Sequence, residues 1–176
     1  MTERLEGKQV VILLAEGFED LEFNVPMMRL QEEGADVTVA GLSTDTVHGK
    51  NGLEARAQTT VGELGDTSRF DAVVVPGGWA PDKLRRYDEV TGLVRSAHER
   101  GAIVGLICHA GLVGISAGIV DGGRSTGSLG IKDDLVNAGS TWVDEPAFRD
   151  GAIVWGRVVE DIPDFCRELV AAIETG

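Results

Sequence analysis

The 176-residue sequence predicts one α/β domain built on a doubly wound, mostly parallel sheet with helices on both faces. Short apolar runs rich in β-branched residues recur along the chain and are bounded by turn residues. Amphipathic segments of helical length separate them, a pattern typical of strands buried on both faces of a parallel sheet. The chain is long enough for one sizeable core, and no repeat or linker divides residues 1–176 into smaller units.

The individual elements follow from the same pattern. Strands are predicted at residues 10–15, 37–40, 72–75 and 103–107. Segments 19–33 and 88–100 are predicted helices, and a shorter helix is expected at 112–118. Pro26 predicts a bend or a break in the first helix, because proline has no N–H to donate and its ring clashes with the preceding turn.

Two further stretches carry β-type residues around tight-turn sequences. Segment 47–61 contains Lys50-Asn51-Gly52, and segment 141–156 contains Arg149-Asp150-Gly151. Such turns join antiparallel strands, so we expect a flavodoxin-like parallel sheet accompanied by a small antiparallel hairpin. Residues 161–175 carry an apolar stripe at helical spacing, which predicts a C-terminal helix with Cys166 buried as a small core residue.

The charge of the chain limits its partners. With 16 basic and 29 acidic residues, the net charge of −13 disfavours binding to nucleic acid or to anionic membranes. The excess of carboxylates and the small number of lysines suggest adaptation to high salt. No run of eighteen apolar residues and no signal peptide is visible, and two widely spaced cysteines do not suggest a disulfide framework, so a cytoplasmic protein is expected.

The segment GAIVGLICHAGLVG places Cys108 and His109 directly after a predicted buried strand. A side chain at such a strand-to-helix turn projects toward a ligand at the carboxyl end of the sheet. A helix N-terminus and a nearby histidine can lower a thiol pKa from about 8.5 to between roughly 3.5 and 7.5, which would make Cys108 a nucleophilic thiolate. The same stretch also fits a core cysteine followed by a turn histidine.

Other predicted strand ends bring compatible groups to the same edge. Gly77 and Gly78 follow one strand, where they form either an ordinary turn or an oxyanion hole made of backbone N–H groups. Acidic residues follow the first strand, and one of them could reach the thiol. No histidine follows His109, which excludes the downstream His-x-Glu that a glutaminase needs. The scattered histidines and cysteines make no metal site, and no phosphate loop is present, so we expect no cofactor.

Five motifs in order, AEGFEDLE, VVVPGGWAPD, ICHAG, SAGIVDGGRSTG and IKDDLVNAGSTWVD, resemble the PfpI family of intracellular proteases. That family belongs to the superfamily of the Parkinson-associated protein deglycase and the class III glyoxalases. The resemblance runs from about residue 8 to 174. It implies that Cys108 is the nucleophile, that Glu22 hydrogen-bonds its sulfur, and that His109 is the general base.

The resemblance also implies an assembly. Asp82 falls in the place of the family's A-P-E glutamate, which reaches the histidine from a neighbouring subunit, so a homodimer or larger oligomer would complete the site. The N–H groups of Gly78 and His109 would hold the oxyanion. The chain departs from the family pattern where Asp82 is one methylene shorter, where Trp79 replaces a polar residue, and where Ser128 replaces a tyrosine.

These features leave several functions open. The first is an enzyme that attacks the carbonyl carbon of peptides or of small carbonyl compounds, either as a peptidase or amidase, or as a glyoxalase III or protein deglycase acting on methylglyoxal and its adducts in a stress response. The second is a non-enzymatic stress protein or chaperone in which Cys108 is a redox sensor. The third is a flavodoxin-like domain that binds a small anion or nucleotide.

Overall fold

A seven-stranded sheet forms the centre of the computed structural model, which describes residues 3–176. In chain order the strands are β1 (Gln9–Leu14), β2 (Asp36–Gly41), β3 (Thr46–His48), β4 (Glu54–Arg56), β5 (Thr59–Thr60), β6 (Ala72–Val75), β7 (Ile103–Ile107), β8 (Arg124–Ser125), β9 (Thr141–Trp142), β10 (Ala147–Asp150) and β11 (Ile153–Gly156). The helices are α1 (Asp20–Glu32), α2 (Ala80–Leu84), α3 (Asp88–Glu99), α4 (Gly111–Ala117), α5 (Lys132–Asn137) and α6 (Ile162–Thr175).

The sheet has the order β10-β11-β7-β6-β1-β2-β5, and every neighbouring pair is parallel except β10 with β11. All residues of β6 and β7 are buried, because α1 and α6 pack together as one helical layer while α3 and α4 pack together as another. The predicted doubly wound, mostly parallel fold is confirmed. The strand order reverses direction between β1 and β6, where parallel sheets open a crevice at their carboxyl ends.

Both predicted turns occur, but the hairpins are shorter than the stretches that predicted them. Strands β3 and β4 pair around Lys50-Asn51-Gly52, whereas Thr59–Thr60 leaves the hairpin and joins the main sheet beside β2. Strands β10 and β11 pair at Asp150 and Ile153, whereas Thr141–Trp142 pairs in parallel with β8. Because β-type residues occur in both hairpin and edge strands, the sequence pattern did not separate the two.

Of the bend or break predicted at Pro26, the break does not occur, since α1 runs without interruption from Asp20 to Glu32. Pro26 leaves only the Glu22 carbonyl without its intrahelical donor, and it is itself buried on the same face as Phe23 and Leu30. Burial of that apolar face offsets the loss of this hydrogen bond, so the helix continues past the proline. Cys166 is buried on α6 as predicted. Within residues 3–176 no helix is long and apolar enough to cross a membrane.

Candidate active site

Cys108 stands where β7 ends, in a turn that leads into α4. Its φ of 60° makes it the one non-glycine residue in the described chain with a left-handed backbone. Such a conformation destabilises an L-residue and persists only where the surroundings enforce it. Here the Ser128 N–H donates to the Cys108 carbonyl at 3.2 Å and holds the turn. The predicted strand-to-helix elbow is therefore present, and only 8% of the cysteine surface is exposed.

The Cys108 sulfur receives backbone hydrogen bonds from the N–H groups of Gly78 and His109, and both lower the pKa of the thiol. These are the two donors that the family resemblance implied for an oxyanion. The His109 imidazole lies alongside, with Nδ1 3.3 Å from the sulfur. An oxyanion formed next to this sulfur would find both N–H groups already aimed at it.

Glu22 lies in the first turn of α1 and is completely buried. Its Oε2 accepts the N–H of Gly77 at 2.8 Å, while Oε1 receives no hydrogen bond from a nitrogen or oxygen donor in the described chain. Burial, and next the charge of Glu19, raise the pKa of Glu22 to about 7. The carboxyl group beside the cysteine can therefore both take up and release a proton near neutral pH.

The thiol itself does not behave as the sequence predicted. Burial, followed by the charge of Glu22, raises the pKa of Cys108 to about 12, and the two N–H groups only partly offset this. The expectation of a lowered pKa is wrong for a thiol beside a charged carboxylate, because it considered the helix terminus and not the enclosure of the sulfur. The two acids are coupled, so the thiolate becomes accessible when Glu22 carries the proton.

Gly77 and Gly78 form a wall of the site that has no room for side chains. A Cβ on Gly77 would lie 2.2 Å from Glu22 Oε2 and 2.7 Å from Cys108 Cβ. Gly78 has a φ of 80°, and a Cβ there would lie 2.5 Å from the Gly17 carbonyl oxygen. The Gly77 N–H is donated to Glu22, so of these two glycines only Gly78 has its N–H left for the predicted oxyanion hole.

Trp79 and Asp82 lie farther out, at the start of α2. Trp79 is 65% exposed and packs across Gly17, whose own Cβ would be 3.1 Å from that of the tryptophan. Asp82 is exposed and forms an ion pair with Arg86 one turn later. Within one chain it makes no hydrogen bond to His109, whose pKa is lowered by burial and by the charge of Lys50.

Two of the acids that follow the first strand, Glu19 and Asp20, hold the site together. The Oε2 atom of Glu19 caps α1 by accepting the N–H groups of Leu21 and Glu22, each at 2.8 Å. Asp20 accepts the N–H groups of Asn51 and Leu53, also at 2.8 Å each. Both acids are buried. They fix the β3–β4 hairpin against the helix that carries Glu22.

The signal for this arrangement was present in the sequence as an acidic run, Glu19-Asp20-Leu21-Glu22, and a separate turn at Lys50-Asn51-Gly52. Nothing in the spacing joined the two. Gly49 completes the contact, because a Cβ there would lie 2.5 Å from the Asp20 carboxylate. Within residues 3–176 no group of three His, Cys, Asp or Glu side chains is placed to hold a metal ion.

Comparison with known proteins supports the family resemblance. The model of the DJ-1/PfpI family matches residues 8–172. A Pyrococcus horikoshii protein named a deglycase is 37% identical over 166 residues, which are 94% of this chain and 99% of that protein. General stress protein 18 of Bacillus subtilis is 34% identical over 171 residues, covering 96% and 99% of the two chains.

Among solved structures, the crystal structure of DJ-1beta from Drosophila melanogaster superposes with a TM-score of 0.89 at 27% identity, covering 97% of this chain and 92% of that one. The match thus extends from the sequence motifs to the whole fold. Together with the strained cysteine at the end of β7 and the buried carboxyl beside it, these similarities establish that the chain belongs to the DJ-1/PfpI family.

Proposed function

We propose that the protein is a cysteine-dependent enzyme that converts small 2-oxoaldehydes, such as methylglyoxal, and their adducts, in the manner of a glyoxalase III or a deglycase. The observation that carries the proposal is the convergence on one sulfur of a buried, protonatable carboxyl and two backbone N–H groups. The names of relatives such as the Pyrococcus horikoshii deglycase support the same class of reaction.

The first step forms a bond between the Cys108 sulfur and the aldehyde carbon. The thiol proton passes to Glu22, which is a suitable acceptor because its pKa of about 7 lies near neutral pH. The carbonyl oxygen becomes an oxyanion that takes the N–H hydrogen bonds of Gly78 and His109, and the proton then moves onto it. The product of this step is a neutral hemithioacetal.

The second step moves a hydrogen within the substrate. Glu22, again a carboxylate, removes the proton from the former aldehyde carbon and returns it to the neighbouring keto carbon, while the hydroxyl proton on the first carbon passes to the oxygen of the second. The first carbon is thereby oxidised to a thioester and the second reduced to an alcohol. Water then cleaves the thioester, which releases lactate and restores the thiol. Methylglyoxal and one water therefore give lactic acid, and no external oxidant or reductant is needed.

Peptide cleavage requires one more function, because an amide nitrogen must be protonated as it leaves. His109 is the adjacent candidate, but its pKa is lowered and no carboxylate of the described chain hydrogen-bonds it. We propose that a homodimer or larger assembly supplies Asp82 of another copy to this histidine. The exposure of Asp82 on α2 supports this, and a peptidase activity would then depend on assembly.

The test compares lactate production from methylglyoxal by the native protein, Cys108→Ala and Cys166→Ala. Cys166 is the matched control because it is also a buried thiol but lies on α6. We expect activity to be lost only in Cys108→Ala. Equal rates in the native protein and Cys108→Ala would overturn the proposal.

The proposed assembly has its own test. Mixing Cys108→Ala with Asp82→Ala subunits would restore peptide cleavage if Asp82 acts between copies.

A redox sensor is a second candidate, favoured by the same carboxyl. Two equivalents of peroxide would oxidise the Cys108 sulfur to a sulfinate with release of two waters, and protonated Glu22 could donate a hydrogen bond to it. The relative named general stress protein 18 is consistent with such a role. Mass spectrometry after mild peroxide treatment would favour the sensor if two oxygens add at Cys108 in a protein that turns over no carbonyl substrate. Both cysteines are unpaired thiols, in accord with the cytoplasmic location we propose.

A further inference from the structure

Lys50 occupies the tip of the β3–β4 hairpin, and the backbone of that tip is fixed against the active site. The Lys50 N–H donates to the Phe18 carbonyl at 2.9 Å, and Phe18 in turn forms a bridge with Gly78. The next residue, Asn51, is held by Asp20 through its N–H and by Glu19 through its side-chain amide. The position of Lys50 is therefore set by the same elements that place Glu22 and Gly78.

The ammonium group of Lys50 is exposed and has no ion-pair partner within the described chain, although it lies in an acidic region. The nearby acids accept hydrogen bonds from backbone N–H groups, although Oε1 of Glu22 accepts none from a nitrogen or oxygen donor. Asp20 and Glu19 accept N–H groups of the hairpin and of α1, and Glu22 accepts the Gly77 N–H. Lys50 thus presents to solvent an ammonium group that no carboxylate of the described chain contacts directly.

The exposed Lys50 ammonium influences the ionisable groups beside Cys108 electrostatically. Burial is the main cause of both shifts, raising the pKa of Glu22 and lowering that of His109, and the Lys50 charge makes a smaller lowering contribution at each, so the ammonium lies within electrostatic range of the two groups that flank the cysteine. The same hairpin also exposes His48 and Glu54, which pair with each other, whereas Trp79 at 65% and Leu129 at 77% are exposed apolar side chains. A protein with a net charge of −13 would otherwise repel an anion from this opening.

We propose that Lys50 is a specificity-determining residue that binds a carboxylate carried by the substrate close to its reacting carbonyl group. The inference rests on the proposed function in that Cys108 supplies the reaction, but it concerns which carbonyl compounds are selected. The substrate class is small carbonyl compounds that bear a carboxylate, held with the carbonyl carbon at the sulfur and the anionic group at the hairpin tip. Neutral carbonyl compounds would use the same thiol without this contact.

The test measures how fast Cys108 is alkylated by iodoacetate, which carries a carboxylate, and by iodoacetamide, its neutral analogue. Both reagents react with the same thiolate, so the ratio of their rates is independent of any change in the thiol pKa. We expect Lys50→Gln to lower the ratio of iodoacetate to iodoacetamide by about fivefold, the effect of one solvent-exposed contact between unit charges. Lys50→Arg should keep the ratio, and added salt should reduce it in the native protein and in Lys50→Arg but not in Lys50→Gln.

The matched control is Lys8→Gln, which removes the same net charge before the start of β1, at the opposite end of the sheet. It should leave the ratio unchanged. An equal fall in Lys8→Gln and Lys50→Gln would assign the effect to net charge and overturn the inference, as would an unchanged ratio in Lys50→Gln.

A second readout does not use the thiol. In a Cys108→Ala background, pyruvate binding is followed by NMR shifts of the Gly78 and His109 amides, with and without Lys50→Gln. We expect binding to weaken about fivefold on loss of Lys50. Equal binding in both proteins, or none in either, would overturn the inference. If pyruvate binding depends on Lys50 but the native protein does not turn over methylglyoxal, the proposed function is overturned and the role of Lys50 is kept.

Discussion

Replacing Glu22 with glutamine should change the pH dependence of Cys108 alkylation in a characteristic way. In the native protein the buried carboxyl has a pKa of about 7, and its charge raises the pKa of the thiol. The species that reacts is the thiolate beside a protonated Glu22. Glutamine is uncharged at every pH, so it resembles the protonated carboxyl and can still accept the Gly77 N–H.

The magnitude follows from proton counting. The thiolate beside protonated Glu22 has the same number of protons as the thiol beside the carboxylate, so its population stops growing once the pH exceeds about 7. In Glu22→Gln the rate continues to rise tenfold per pH unit until the pH reaches the pKa of the thiol, which burial raises. The rates of the two proteins should therefore be similar at about pH 6, differ about tenfold at about pH 8, and differ about a hundredfold at about pH 9.

The assay is pseudo-first-order alkylation with iodoacetamide, read by mass spectrometry of the Cys108 peptide. Cys166 is an internal reference, because burial raises its pKa to about 11 and Glu22 is not among the causes. Glu54→Gln, at an exposed hairpin carboxylate, controls for the loss of one negative charge. A rate ratio that stays constant from pH 6 to 9, or a variant slower than the native protein throughout, would refute the coupling between the two acids.

Three further outcomes test other parts of the site. Gly77→Ala should abolish methylglyoxal turnover and destabilise the fold by about 1–3 kcal/mol in urea denaturation, because its Cβ would overlap Glu22 Oε2, and native-like activity would contradict the crowding. The His109 imidazole should titrate below its ordinary pKa of 6.5 by NMR and so be neutral at pH 7; a midpoint above 6.5 would contradict its burial. Asp20→Asn should reduce the free energy of unfolding by about 1.5–3 kcal/mol, since one of the hairpin N–H groups loses its acceptor, and an unchanged melting curve would refute this role.

Much of the fold was predictable because its buried strands are also continuous apolar runs in the sequence. The residues of β6 and β7 are all buried, and their uninterrupted apolar sequences reflect that directly. The turn at Lys50-Asn51-Gly52 was identified from local composition, which depends on backbone preferences and not on the rest of the fold. The absence of a break at Pro26 was not predictable, because the hydrogen bond that proline removes is a local effect, whereas the packing that offsets it depends on the rest of the fold.

The position of the candidate site was predictable, and its electrostatics were not. Cys108 could be assigned to a strand end from sequence alone, because the carboxyl ends of parallel strands share one edge. The pKa of its thiol depends on enclosure and on the distance to Glu22, which lies 86 positions earlier in the chain. The structural role of Asp20 likewise depends on a hairpin that folds back over α1. Neither of these contacts produces a recognisable pattern in the sequence.

The glycine wall beside Cys108 divides this site into two parts with different freedom to change. At Gly77 and Gly78 the backbone itself packs against the site. A Cβ on Gly77 would collide with Glu22, and a Cβ on Gly78 would collide with the backbone that follows β1. Substitutions at these two glycines would therefore disturb the geometry of the thiol. Lys50, Trp79 and Leu129 are exposed at the rim and can be exchanged without such collisions. Directed evolution toward new carbonyl substrates should accordingly collect its useful changes at the rim and leave the chemistry of the centre as it is.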